Sequence, residues 1–206
     1  MVYFYRVDVV GSKSGTNSVA EEPISCLATC AKPSISVKND AATGDPVITW
    51  KAVKYAVHYR VQRSTKSSSG FQDLDIAFET SFQDTTASTG KKYYYRVIAV
   101  TEGGESGSAS SAKSVYSKVG APVIEVALSG KKPKVTWEKV EGATKYEVYR
   151  ATSKSGKYTK VKTATGASYT DKSAKKGKTY YYKVKAVASS SSYNSAYSNI
   201  FKIKSK

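Results

Sequence analysis

Apolar and polar residues alternate with period two through nearly every long segment of the chain. Tyr180, Tyr182, Val184 and Ala186 share one face while Tyr181, Lys183 and Lys185 share the other. Val47, Thr49 and Lys51 alternate with Ile48 and Trp50, and Tyr146 and Val148 alternate with Lys145, Glu147 and Tyr149. This is the pattern of half-buried β-strands. Turn-forming clusters separate them at intervals of roughly 8 to 12 residues: TGDP, TKSSSG, TTASTG and EGGESG, then SGKKP, TSKSG, KSAKKGK and SSSSYN. Seven strands are predicted near 33–38, 46–51, 56–63, 71–78, 80–84, 92–101 and 106–117, and seven more at matching places 87 residues on.

The spacing of 87 follows from an internal repeat. PVITWKAVKYAVHYRVQR around Trp50 is matched by PKVTWEKVEGATKYEVYR around Trp137, and YYYRVIAV (Tyr93–Val100) by YYYKVKAV (Tyr180–Val187). A third copy of the second segment, YFYRVDVV, stands at Tyr3–Val10 without its companion. A unit of this length is a small domain with its own core rather than one turn of a solenoid. The predicted organisation is 32–119 and 120–206 as two domains, with 1–31 as the last hairpin and linker of a domain whose first five strands are absent.

Composition supports strands: Tyr is abundant at 17 residues and Met occurs once. No apolar run approaches the roughly 18 residues of a membrane-spanning helix, and MVYFYR lacks the layout of a signal peptide. With only Cys26 and Cys30 present, disulfides cannot be the framework of either complete unit. Seven short strands with one Trp per unit suit a two-sheet sandwich, the indole filling the gap between the sheets.

Both units resemble fibronectin type III domains. The resemblance rests on Trp50 and Trp137 on the second strand, Tyr59-x-Val61 and Tyr146-x-Val148 on the third, and Gly90-x-x-Tyr93 and Gly177-x-x-Tyr180 opening the sixth. It implies tandem seven-stranded, immunoglobulin-like all-β sandwiches preceded by a leftover β-hairpin. It also implies that Tyr93 and Tyr180 make the corner whose hydroxyl bonds back to the main chain. The wording W…GAxxYxVYR…GxxYxYxVxAV, with serine-rich loops, is similar to copies in large secreted or surface proteins of Gram-positive bacteria.

Candidate catalytic chemistry is sparse. The single histidine, His58, alternates out of phase with Tyr59 and Val61 and is expected on the solvent face. No nucleophile elbow, phosphate-binding glycine loop or zinc-protease helix is present. The second unit has one aspartate, Asp171, which argues against a paired-carboxylate site there. Asp73 with Asp75, and Asn39 with Asp40 and Asp45, are candidate calcium ligands. Neither group shows a ligand loop, so solvated turns and a charge-protected edge strand are the plainer reading. Cys26 and Cys30 would lie about 13 Å apart on an extended strand, too far to bond. They are free thiols unless the chain turns between them. Tyr149 and Tyr181 are expected as cross-strand neighbours flanked by Lys145, Lys183 and Lys185, either as a sugar platform or as a pair that stabilises the sheet.

Charge is distributed unevenly. The net formal charge is −1 over residues 1–30, +4 over 31–119 and +14 over 120–206. In a seven-strand sandwich, Lys131 and Lys132, Lys154 and Lys157, and Lys172, Lys175, Lys176 and Lys178 fall on connections at one end. The matching end of the first unit mixes Lys66, Lys91 and Lys92 with Asp40, Asp45 and Asp84. Those eight lysines are the candidate polyanion-binding residues, for a partner such as wall teichoic acid, another anionic glycopolymer or nucleic acid, bound by charge alone. The function expected is that of a non-enzymatic piece of a modular extracellular or cell-surface protein, with no cofactor and no metal. Its domains would be spacers and modules for a protein or surface polymer. The unpartnered hairpin, with Tyr3, Tyr5 and Val7 on a face built for burial, is expected to pair with a second copy or to fray.

Overall fold

A computed structural model of the protein describes residues 29–206 in full. Of the first 28 it describes four strand backbones, β1 (Val2–Tyr5), β2 (Asp8–Val9), β3 (Ser18–Val19) and β4 (Ile24–Leu27). β1 runs antiparallel to β4, with Val2 opposite Leu27, and β2 to β3. The side chains of Tyr3, Tyr5, Val7 and Cys26, and with them the expected pairing of two copies, lie outside the described residues.

The first repeat contributes β5 (Ile35–Asn39), β6 (Pro46–Trp50), β7 (His58–Ser64), β8 (Gln72–Ala77), β9 (Ser81–Gln83), β10 (Lys92–Val100) and β11 (Lys113–Tyr116). The sheets are β5-β6-β9 and β11-β10-β7-β8. The second repeat contributes β12 (Ile124–Ser129), β13 (Lys132–Trp137), β14 (Lys145–Ala151), β15 (Thr159–Ala164), β16 (Ser168–Thr170), β17 (Thr179–Val187) and β18 (Phe201–Lys204), in sheets β12-β13-β16 and β15-β14-β17-β18. The two repeats are all-β sandwiches of one topology.

The period-two pattern became burial in both. Alternate residues of β17 (Tyr180, Tyr182, Val184 and Ala186) are buried, and they pack with Ile124, Val126, Val135 and Trp137 of the facing sheet. Each Trp crosses the gap between sheets: Trp50 meets Tyr59 at 5.2 Å between ring centroids, and Trp137 meets Tyr146 at 5.3 Å. The Tyr59 and Tyr146 hydroxyls accept from Val53 N and Val140 N at 2.9 and 2.7 Å. The corner tyrosines act as expected, Tyr93 Oη accepting from Ser88 N at 3.2 Å and Tyr180 Oη from Lys175 N at 3.0 Å.

Two strand predictions needed correction. The 87-residue spacing places the first strand of the second repeat at 120–125, and it lies at Ile124–Ser129. In the first repeat the connection to the next strand is a six-residue loop closed by Asp40, whose Oδ1 accepts from Ala42 N and Thr43 N, each at 2.8 Å. In the second it is the two-residue turn Gly130-Lys131, where Gly130 adopts φ 62°, the left-handed conformation that such hairpins require. The shorter turn moves β12 forward against an unmoved β13. The seventh strand is also not continuous. Only Ser106 bridges to Val100 before β11, and only Tyr197 bridges to Lys185 before β18. Buried serines complete the ladder instead. Ser198 N donates to Val184 O (2.8 Å) while its hydroxyl accepts from Val184 N (2.9 Å), and Ser195 makes the same reciprocal pair with Ala186. Ser110 does so with Val97 in the first repeat. The serine richness of these segments is therefore partly ladder chemistry rather than loop chemistry.

By backbone proximity the chain divides into two compact units that do not coincide with the repeats. One includes Ile48–Phe82 and Tyr94–Lys113, and the other Val37–Val47, Gln83–Tyr93 and Ser114–Lys206. Within the latter, Val119 N donates to Tyr193 O and Ala121 N to Ala42 O. Among the described residues no helix is long and apolar enough to cross a membrane. The one helical element named there is a 3-10 turn at Ser191–Tyr193.

Candidate functional site

The strand register of the second sandwich decides where its lysines go. Ser129 pairs with Lys132, Ala151 with Tyr181, and Thr179 with Lys204. The connections 130–131, 152–158 and 171–178 therefore leave the same end of the sandwich, and β18 finishes there. All eight predicted lysines occupy that end.

The backbone draws three of its segments together. Lys206 N and Ser205 Oγ both donate to Lys131 O at 3.1 Å. Gly177 N donates to Ser205 O, and Ser205 N to Lys178 O, each at 2.9 Å. A surface cavity of about 390 Å³ opens where they meet, lined by Lys131, Lys176, Gly177, Lys204, Ser205 and Lys206. Lys132 turns away, its Nζ donating to Ala174 O at 2.6 Å. Lys154 and Lys157 sit on the separate loop after β14, and Lys172 and Lys175 on the segment leading to the cavity. Lys204 and Lys206 were not among the candidates. Their signal was available, because the last strand of such a sandwich returns to this end.

The aspartate at this end is not on the surface. Asp171 is fully buried and accepts from Arg150 Nη1 (2.6 Å), Tyr182 Oη (2.6 Å), Ser173 Oγ (2.7 Å) and Ser173 N (3.1 Å). Burial by itself would raise its carboxyl. The bonds from Tyr182, Ser173 and Arg150, with the Arg150 charge, outweigh it and hold the group below the usual carboxylate range. Burial, and then the hydrogen bond and charge of Asp171, push the Tyr182 phenol far above its ordinary value. The network was missed in the sequence, although Arg63, Asp84 and Tyr95 stand 87 residues before Arg150, Asp171 and Tyr182. Asp84 is likewise buried.

The remaining candidates are committed to structure. Asp73 accepts from Arg60 Nη2 and from Gln62, each at 2.7 Å. A bulge between Val61 and Gln62 separates its register from that of Asp75. Asn39 donates to Gly44 O and Tyr116 O, and Asp45 accepts from Gln83. No group of three His, Cys, Asp or Glu among the described residues could hold a metal ion. His58 opens β7 and is half-buried, with its ring 6.1 Å from that of exposed Phe78. Cys30 is a free thiol, buried, and burial pushes its pKa up.

Tyr149 and Tyr181 are not direct cross-strand neighbours. Tyr149 lies opposite Lys183, and Ala151 opposite Tyr181. The Tyr149 ring instead meets Tyr197 edge-on at 5.3 Å, and its hydroxyl donates to Glu147 Oε2 at 2.7 Å. Lys183 Nζ sits 3.8 Å from the Tyr197 centroid and 4.3 Å from that of Tyr158. These ring faces are covered by the protein's own cation, as cation–π contacts that brace the sheet.

Paired three- and four-stranded sheets, a Trp between them and a tyrosine corner in each repeat define tandem fibronectin type III domains. The chain is similar to the chicken interferon gamma receptor alpha chain at 16% identity and TM-score 0.60, covering 84% of this chain and 97% of that one. A two-domain fibronectin type III segment of chicken tenascin matches at 18% identity and TM-score 0.47, over 84% and 99% of the two chains. An Fn3-like protein from Clostridium thermocellum matches at 31% identity and TM-score 0.38, over 41% of this chain and 86% of that one. No family profile and no curated protein matches the sequence.

Proposed function

We propose that the protein is a non-enzymatic part of a modular extracellular or surface protein of the Gram-positive type, in which the domains 32–119 and 120–206 act as spacers and interaction modules. One observation carries this reading: the buried Asp171 network and the buried serines of the second sandwich are committed to holding its own fold. Asp171, Arg150 and Tyr182 satisfy one another, and Ser195 and Ser198 complete the sheet. Such a network holds structure, and its acid and base are committed to each other rather than to a substrate. A mechanical spacer made of two independent domains should unfold in two discrete steps under force. Each should release on the order of 300 Å of contour at about 3.5 Å per residue. A single step, or none, in single-molecule pulling would overturn the tandem-module reading.

A second reading is favoured by the lysines. Eight of them at one end of a domain of charge +14, with the nearby aspartate internally neutralised, support binding to an anionic surface polymer. Association of the full chain with such a polymer that weakens steeply with salt tests it.

A further inference from the structure

We propose that the cavity between turn 130–131, Lys176–Lys178 and Lys204–Lys206 is the seat of a linear polymer of phosphate groups, a site that rests on the polyanion reading and narrows it to one place and one chemistry. Flexible lysines scattered over a surface attract an anion weakly, because a Debye length of about 8 Å screens each from the next. Here the scatter is removed by the main chain. Lys206 is hydrogen-bonded to Lys131, and Ser205 to both Gly177 and Lys178, so Lys131, Lys176, Lys204 and Lys206 stem from hydrogen-bonded neighbours. Among the described residues no carboxylate pairs with any of these four. Asp171 is sealed behind Arg150. Four lysines without a carboxylate partner therefore line one cavity, and an anion seated there would neutralise several charges at once.

The lining selects among anions. It contains no aromatic ring, so neither a stacked base nor a sugar face has a platform. It contains no arginine fork, the nearby Arg150 being bound to Asp171, so planar carboxylates find no bidentate partner. Ammonium groups are point charges that accept a tetrahedral oxyanion from any direction. Lys172 and Lys175, on the segment leading into the cavity, offer further positive charge to the phosphates of a polymer that extends beyond it. Recognition is then of backbone charge and spacing, without reading what the backbone carries.

The test uses the full chain and labelled linear polyphosphate, followed by fluorescence anisotropy between about 50 and 200 mM salt. The variant K131Q/K176Q/K204Q/K206Q is compared with K139Q/K145Q/K162Q/K202Q, which loses the same charge at exposed positions outside the cavity. The cavity variant should bind at least tenfold more weakly, with a log–log salt slope shallower by about 3, from about 0.7 per lost phosphate contact. The control should keep most of the wild-type slope. Equal losses in both variants overturn the site while leaving the polyanion reading standing, whereas no binding by wild type at low salt overturns both. Heparin binding as tightly as polyphosphate overturns the phosphate assignment.

Discussion

Replacing Asp171 by Asn should damage the second sandwich more than the size of the change suggests. The side chain is fully buried, its Oδ2 accepts from Arg150 and Tyr182, and its Oδ1 accepts from Ser173 N and Oγ. An amide offers one acceptor oxygen, so its NH2 must face either the Arg150 guanidinium or the Ser173 amide, neither of which can turn away. Removing one partner of a buried ion pair costs about 3–5 kcal/mol. Arg150 keeps 23% of its side-chain surface exposed and can recruit water, which places the expected loss near the low end, at about 3 kcal/mol. For a domain of this size that lowers the melting midpoint by about 12–24 °C. Trp137 fluorescence in a Trp50→Phe background reports on the second sandwich alone. A midpoint within about 4 °C of the parent, under about 1 kcal/mol, would refute the network's role in stability. The effect has a pH signature as well. Because the folded carboxyl is held below its ordinary value, its contribution is complete above the unfolded pKa of about 3.9 and is lost as pH falls through the folded value. The gap between parent and Asp171→Asn should therefore narrow below about pH 4.

Trp137→Ala should cost about 3–5 kcal/mol, as for other buried aromatics, and unfold the second sandwich at a lower urea concentration than the first; calorimetry showing unchanged melting would refute its place between the sheets. Ser198→Ala should cost about 1–3 kcal/mol by orphaning the buried Val184 amide, read as faster hydrogen exchange at Val184 than in the parent. In a Cys26→Ser background, Cys30 should react with a thiol reagent only at the rate of unfolding. Burial and a raised pKa both withhold the thiolate.

Much of this architecture was legible because its determinants are local and occur twice. Period-two alternation says which side chains of β17 turn inward, and the 87-residue repeat pairs Trp50 with Trp137 and Tyr93 with Tyr180 before any contact is known. Topology then assigned the eight lysines to one end, since the strand count alone decides which connections share it. The Arg150–Asp171–Tyr182 network escaped because its members come from β14, the segment after β16, and β17. Nothing local marks a charged residue as buried.

The sequence by itself determined the strands, the sandwich and the sign of the charge at each place, because side-chain alternation and turn chemistry act over a few residues. Only the tertiary structure decided what those groups face. It sealed Asp171 behind Arg150, covered the Tyr197 ring with Lys183, and used Ser195 and Ser198 as sheet acceptors. It also brought Lys204 and Lys206 beside Lys131 and Lys176. In each case the deciding interaction joins segments distant in the chain, and its strength depends on a distance and a degree of burial that exist only once the sheets have closed.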